Sequence, residues 1–159
     1  MFHVRHLDKN GNLKAEFDVP NGITNVGKNH ILGVEFHGDT QLTSWYLGLI
    51  DNAAFGSLNA ADTMASHSGW NELDTASNTI YSQTTRPAWG PDASSGQAIT
   101  NGSPVVFSII ATAAAYGFFV TSNSTKAGTT GTLWTTAAFS AVCNLSNGDT
   151  LNVTYTITM

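Results

Sequence analysis

Three ionisable residues in one stretch of the chain are the first candidates for chemistry. Asp62, His67 and Glu72 lie five residues apart in a segment without regular periodicity, and such a segment can wrap a metal ion. Their spacing matches none of the helical or loop motifs that hold metal ligands in proteins. We therefore expect no bound metal and no cofactor.

Acidic residues of the same stretch are also the best local candidates for hydrolysis. A glycosidase needs two carboxylates facing each other across a cleft, and Asp62, Glu72 and Asp74 are close enough in sequence to be considered. Acids in loops more often cap turns, which is the role we expect for Asp62. The Gly-x-Ser-x-Gly elbow of serine hydrolases is absent, and residues 126–132 lack the spacing of a phosphate-binding loop. The sequence predicts no catalytic residue.

A single cysteine and a single loop arginine complete the chemical inventory. Cys143 is the one cysteine of the chain, so neither an internal disulfide nor a cysteine zinc site can form, and we expect it to be a small buried side chain. Arg86 follows a stretch of polar residues, where we expect it to pair with a loop carboxylate such as Glu72.

The four tryptophans divide into two pairs. Trp45 and Trp134 stand inside apolar stretches and are predicted to lie in the core. Trp70 and Trp89 stand in loops, where they either anchor a loop onto the body of the protein or contact a partner. Exposed tryptophans also serve as platforms for sugars.

Few charges and many small polar residues set the character of the surface. Charged residues make up 11% of the 159 residues, against about 25% in an average soluble domain. The formal net charge is −5 and the 6 basic residues are scattered, so we expect neither nucleic acid nor an anionic membrane as a partner. Hydroxyl and amide groups are easier to desolvate than charges, which suits a surface that another protein covers.

Patterns along the chain predict a mainly β protein. Asn10-Gly11 separates two apolar runs and predicts a hairpin over residues 1–19. Helical spacing predicts a short helix over about 23–33, with a strand over residues 31–36 as the alternative. A long irregular stretch, 51–79, is expected to hold helical turns between residues 57 and 67. Short alternating or apolar runs predict strands at 44–50, 80–85, 105–110, 116–121, 132–139 and 151–159.

These elements favour an antiparallel β-sandwich, jelly-roll-like, with an N-terminal hairpin arm and one short helix. We expect the hairpin arm and helix to occupy residues 1–37. The sandwich body, with its long 51–79 loop, would occupy residues 38–159.

The order of the motifs resembles a family of small virion proteins of tailed bacteriophages. The similar segments are TNVGKN at 24–29, WYLGLIDN at 45–52, DTMASHSGWNE at 62–72, RPAW at 86–89, SNSTK at 122–126, GTLW at 131–134 and NGDTL at 147–151. The resemblance implies a non-enzymatic structural protein, most simply a head decoration or cement protein. Such proteins are often β-sandwiches bound as homodimers or homotrimers to the major capsid protein on the outer capsid surface, after synthesis in the host cytoplasm.

A decoration protein must reach onto its neighbours, and two segments are expected to do so. We expect the hairpin 1–19 and the 51–79 loop to reach onto neighbouring subunits. The candidates for contact with a partner are Phe2, Val4, Phe17, Trp70 and Trp89. The alternative is a tail or fibre component that binds carbohydrate or a receptor. A phage depolymerase is the third class, and it would require carboxylates clustered in a cleft.

Overall fold

Two antiparallel β-sheets packed face to face make up the computed structural model, which describes residues 1–75 and 77–159. The strands are β1 (Phe2–Leu7), β2 (Leu13–Val19), β3 (Gly22–Ile23), β4 (Trp45–Asp51), β5 (Ala88–Trp89), β6 (Ala98–Thr100), β7 (Val105–Ser108), β8 (Ala113–Thr121), β9 (Leu133–Leu145) and β10 (Thr150–Thr158). The first sheet has the order β2-β1-β10-β6, with β7 also paired to β10, and the second has the order β3-β9-β8-β4-β5. The predicted antiparallel sandwich is confirmed.

The N-terminal hairpin forms as predicted but is not a separate arm. Gly11 takes a φ of 81° in its turn, and the Asp8 carboxylate accepts the backbone N–H groups of Asn10 and Asn12. However, β1 also pairs along its whole length with β10, which places β1 inside the first sheet. The expected boundary between arm and body at residue 37 therefore falls within one sandwich, because β1 pairs with β10.

Aromatic rings from both sheets fill the space between them. The Phe2 ring stacks on Tyr155 at 4.3 Å within its own sheet and on Phe118 of the other sheet at 5.3 Å. Phe118 in turn meets Phe139 edge-on at 5.0 Å. The predicted alternation of β10 is confirmed, since Leu151, Val153 and Tyr155 all face this core.

A second apolar cluster lies on the outer face of the second sheet. Adjacent residues of a strand point to opposite faces, so Phe118 faces the core between the sheets and Phe119 faces outward. The 51–79 loop folds over Phe119 and buries Met64 and Trp70 against it. The central strands of the second sheet are therefore covered on both faces.

The 51–79 loop contains turns instead of the expected helical turns. The Asn59 side chain accepts the backbone N–H of Ala61, and the Asp62 carboxylate accepts the N–H of Asn59. Side chains that bond nearby backbone groups in this way compete with helix formation. The prediction of helical turns between residues 57 and 67 was wrong for this reason.

The helix α1 spans Asn25–Leu32 and confirms the predicted helix. Its N-terminus is capped by Thr24, whose hydroxyl accepts the N–H of Gly27. A π-helical turn, Gly33–His37, extends it and ends at Gly38 in the left-handed conformation. This helical segment also excludes the strand that residues 31–36 could otherwise form.

The strand expected over residues 80–85 is reduced to one isolated bridge between Tyr81 and Ile109. The backbone N–H groups of Ile80 and Tyr81 both donate to the Asp74 carboxylate. These groups are therefore not available to a neighbouring strand, and the segment is irregular.

Candidate functional site

The residues considered for a metal site each contact other groups of the chain. The Asp62 carboxylate accepts the indole N–H of Trp70 at 2.9 Å, and His67 Nδ1 lies 3.0 Å from the Trp70 carbonyl oxygen. Glu72 instead binds Arg86. In residues 1–75 and 77–159, no group of three or more His, Cys, Asp or Glu side chains is placed to hold a metal ion.

Arg86 and Glu72 form the predicted ion pair, which is buried beneath the loops. Arg86 Nε donates to Glu72 Oε1 at 2.9 Å, and Nη2 donates to Oε2 at 2.7 Å. The guanidinium also donates to the carbonyl oxygens of Asn123 and Gly128, and it lies over the Phe119 ring. This pair joins the 51–79 loop to the loop between β8 and β9, so its role is structural.

Four of the five expected partner-contact residues lie inside the molecule. Phe2 and Val4 are 0% exposed, Trp70 is 1% exposed and Trp89 is 7% exposed, while Phe17 is partly buried. Phe2, Val4 and Trp70 cannot contact a partner while the chain is folded, and the small exposed part of Trp89 lines a surface groove. Phe2 and Val4 belong to a strand in the middle of a sheet, and its alternate side chains must face the core.

The two tryptophans expected in loops both anchor their segments, but Trp89 lies on the short strand β5, paired with Trp45 of β4. Trp70 packs on Phe119 at 5.1 Å, with its indole N–H on Asp62. Trp89 donates its indole N–H to both the Asn101 side chain and the Tyr155 carbonyl oxygen. Of the two roles left open for these residues, the structure places both in the loop-anchor role.

Cys143, His6 and Asp149 form a buried cluster in the same order as the nucleophile, base and acid of a catalytic triad. Cys143 Sγ lies 3.6 Å from His6 Nδ1, and His6 Nε2 lies 2.7 Å from Asp149 Oδ2. Lys14 Nζ also contacts Asp149, at 2.7 Å. Burial raises the pKa of the Cys143 thiol to about 11, so the thiol is protonated near neutral pH. We assign this cluster to the fold, in agreement with the expected buried cysteine.

Three large apolar side chains are exposed on α1 and the π-helical turn that follows it. Ile31, Leu32 and Phe36 are 36%, 55% and 81% exposed, and we call them the helix patch. Exposed apolar patches mark interaction sites, and π-helical turns are frequent at functional positions. Helical spacing in the sequence indicated only the apolar face of the helix that packs on the protein, and it missed Leu32 and Phe36. These two residues are four positions apart and lie outside that face, which was the available signal of a second apolar surface.

A groove of about 450 Å³ lies beside the helix patch. Its lining includes Ile31 of α1 and Glu35 of the π-helical turn, together with Trp45, Trp89 and Trp134. The remaining lining residues are His30, Val34, Gln41, Leu42, Thr43, Pro91, Ile99 and Ile157.

Trp134 and Trp45, both predicted to lie in the core, differ in burial. Trp134 is buried and donates its indole N–H to the Tyr155 hydroxyl. Trp45 is half-buried between Trp134 and His30, each at 5.8 Å between ring centroids. The groove therefore has a lining of aromatic side chains and a few polar groups, which suits an apolar side chain of a partner or the face of a sugar ring.

No protein-family model matches the chain, and a search of curated proteins finds no similar sequence. The resemblance to phage virion proteins stays a prediction. Among the helices in the described part of the chain, none has the length and apolar character needed to cross a membrane.

Proposed function

We propose that the chain is a non-enzymatic structural protein of a tailed-phage virion, namely a head decoration protein that binds the outer surface of the major capsid lattice as a homodimer or homotrimer. The observation that carries the proposal is the helix patch, which presents Leu32 and Phe36 beside an open apolar groove. Apolar anchors next to a pocket are the usual centre of a protein interface.

The surface and the rigidity of the molecule support this role. A surface with few charges is cheaper to desolvate over the roughly 1,200–2,000 Å² of a specific interface. The central strands of the second sheet are covered on both faces, and the Arg86–Glu72 pair connects the covering loops. Such a body can hold a docking surface in one geometry without disulfides.

The copy number of the chain in purified virions tests the proposal directly. We expect hundreds of copies per particle, measured by quantitative mass spectrometry relative to the major capsid protein. A few copies, in multiples of three or six, would assign the protein to the tail or a fibre instead.

A charged substitution in the helix patch tests the docking surface. We expect Phe36→Asp to lower the affinity for capsids lacking this protein by at least about tenfold, because the charge would need to be desolvated at the interface. Leu13→Asp is the matched control, since Leu13 is 50% exposed on β2, outside the groove and the helix patch. Equal affinity of both variants and the unmodified chain would place the docking surface elsewhere.

The groove supports carbohydrate binding as the second candidate function. Trp45, Trp89 and Trp134 line it together with the polar side chains of Glu35 and Gln41, a combination that suits sugar recognition. Binding would change tryptophan fluorescence on titration with host surface saccharides, and Trp45→Ala would abolish the change. A flat titration with the unmodified chain would remove this candidate.

A further inference from the structure

Lys126 and Asp74 meet in the interior beneath the loops that cover the second sheet. Lys126 Nζ lies 3.1 Å from Asp74 Oδ1, and the two side chains are 10% and 0% exposed. The same Nζ lies 3.8 Å from the centroid of the Tyr81 ring and donates to the Tyr81 carbonyl oxygen at 3.2 Å. An amine and a carboxyl group are therefore held in contact where little water can reach them.

The two oxygens of the Asp74 carboxyl group have different surroundings. Oδ2 accepts the backbone N–H groups of Ile80 at 2.8 Å and Tyr81 at 2.9 Å. Oδ1 faces Lys126, and among the residues that the structure describes it accepts no hydrogen bond of good geometry. Two N–H donors on one oxygen resemble the oxyanion hole of acyl-transfer enzymes, which stabilises negative charge on a tetrahedral carbon's oxygen.

The Tyr81 side chain supplies a further polar group at this place. Its hydroxyl is buried and has no hydrogen-bond partner within residues 1–75 and 77–159. A buried hydroxyl without a partner is costly for folding. The face of the same ring lies against Lys126 Nζ, so the aromatic side chain helps to keep water away from the amine.

We propose that Lys126 and Asp74 condense into an intramolecular isopeptide bond. The reaction needs a neutral amine and a neutral carboxylic acid, and proton transfer within the Nζ–Oδ1 contact produces both. Both side chains are largely buried, so little water competes with this contact. The proposal concerns the covalent structure of the chain and does not depend on the proposed function.

The bond forms by addition and loss of water. The lone pair of Lys126 Nζ adds to Asp74 Cγ, and the electron pair of the Cγ–Oδ2 double bond moves onto Oδ2, where the N–H groups of Ile80 and Tyr81 stabilise it. A proton then passes from Nζ to the Oδ1 hydroxyl, which it faces at 3.1 Å. The Cγ–Oδ1 bond breaks, water leaves, and the Cγ–Oδ2 double bond re-forms. One amine and one carboxylic acid thus give one amide and one water, without an oxidant or a co-reactant.

Such a bond would link two segments that are far apart in sequence. It would join the 51–79 loop to the loop between β8 and β9 and close a ring over residues 74–126. A covalent ring of this size constrains the unfolded chain, as a disulfide does in proteins that have one. The chain has a single cysteine, so an isopeptide bond is a cross-link still open to it.

The intact mass of the full chain tests the proposal. We expect a mass below that of the sequence by one water, and a proteolytic fragment in which the peptides containing Lys126 and Asp74 are joined. Lys126→Arg is the matched control, because it keeps the positive charge opposite Asp74 but has no amine to condense, and it should have its full sequence mass.

Circular dichroism of Lys126→Arg shows whether the control is folded, and Asp74→Ala serves as a second control. An unmodified chain that retains the full sequence mass after prolonged incubation at neutral pH would overturn the proposal. Loss of water that persists in Lys126→Arg, or that maps to other peptides, would overturn it equally.

Discussion

At the scale of single residues, the buried Arg86–Glu72 pair is the most consequential polar contact. Arg86 is 1% exposed and satisfies its guanidinium with one carboxylate and two backbone carbonyl oxygens. The carboxylate in turn accepts the backbone N–H of Ala127. Removing one partner of such a pair leaves the other buried and uncompensated, which costs more than the intact pair contributes.

We therefore expect Glu72→Gln to lower the free energy of unfolding by about 3–5 kcal/mol, measured by urea denaturation. Glu16→Gln is the matched control, because Glu16 and Arg5 form an exposed pair at 3.8 Å. Exposed ion pairs contribute about 0–1 kcal/mol to stability. The free energy of unfolding of this variant should therefore be close to that of the unmodified chain. A similar loss in both variants would contradict the structural role of the buried pair.

Asp149 gives the chain an acid-sensitive contact. Burial raises the pKa of this carboxyl group, but the hydrogen bonds from Lys14, His6 and the Ser146 backbone outweigh burial and hold the pKa below its ordinary value. Because the pKa of Asp149 is lower in the folded protein than in the unfolded chain, its contribution to stability is complete above the unfolded pKa. This contribution is lost as the pH falls from the unfolded pKa through the folded pKa.

Stability should therefore decline below about pH 4, where an unfolded aspartate begins to bind its proton. Asp149→Asn removes this group, and we expect its unfolding free energy to fall less steeply than that of the unmodified chain between about pH 4 and pH 2. Urea denaturation across this range measures both slopes. Parallel slopes would show that Asp149 does not supply the acid sensitivity.

At the scale of elements, the 51–79 loop acts as a cover for the second sheet. Its backbone lies against itself at Gly69, whose carbonyl oxygen accepts the N–H groups of Gly56 and Ser57. A Cβ atom at Gly69 would overlap the carbonyl group of Ser57. Glycine at this position therefore lets the loop close over Trp70 without a shift of the backbone.

We expect Gly69→Ala to lower the free energy of unfolding by about 1–3 kcal/mol, because the backbone must move to relieve the overlap. Gly90→Ala is the control, since no atom lies within 4 Å of a Cβ placed there. Thermal unfolding followed by tryptophan fluorescence reports on both, and Trp70 is sensitive to opening of the loop. An unchanged melting temperature for Gly69→Ala would show that the loop can close in another way.

At the scale of the whole molecule, the first and last strands hold the first sheet together. β1 lies between β2 and β10, with Phe2 opposite Tyr155 and Val4 opposite Val153. This arrangement joins the two ends of the chain within one sheet. The N-terminal hairpin is consequently required for the core.

We expect a chain lacking residues 1–19 to lose its tertiary structure, because the inner residues of β10 and Phe118 would lose their partners. Near-ultraviolet circular dichroism and amide hydrogen exchange measure the loss. Removal of Met159 alone, which is 92% exposed, is the control and should have no effect. A shortened chain that folds and still decorates capsids would restore the idea of a detachable arm.

Features that depend on neighbouring residues were determined by the sequence itself. The turn at Asn10-Gly11, the helix Asn25–Leu32 and the alternation of β10 all follow from local backbone preferences and from side-chain periodicity. The pairing of Arg86 with Glu72 was also predictable, because the chain has few cations and a loop carboxylate was close in sequence.

Tertiary structure alone decided which side chains are exposed. Trp70 and Trp89 were both expected in loops, yet Trp70 is buried on Phe119, and Trp89 lies on β5 and is hydrogen-bonded to Tyr155. Phe119 and Tyr155 are each more than forty positions away from these tryptophans in the sequence. The groove arises in the same way, since Trp45, Trp89 and Trp134 come from three different strands. Burial depends on contacts between distant segments, and no local pattern contains them.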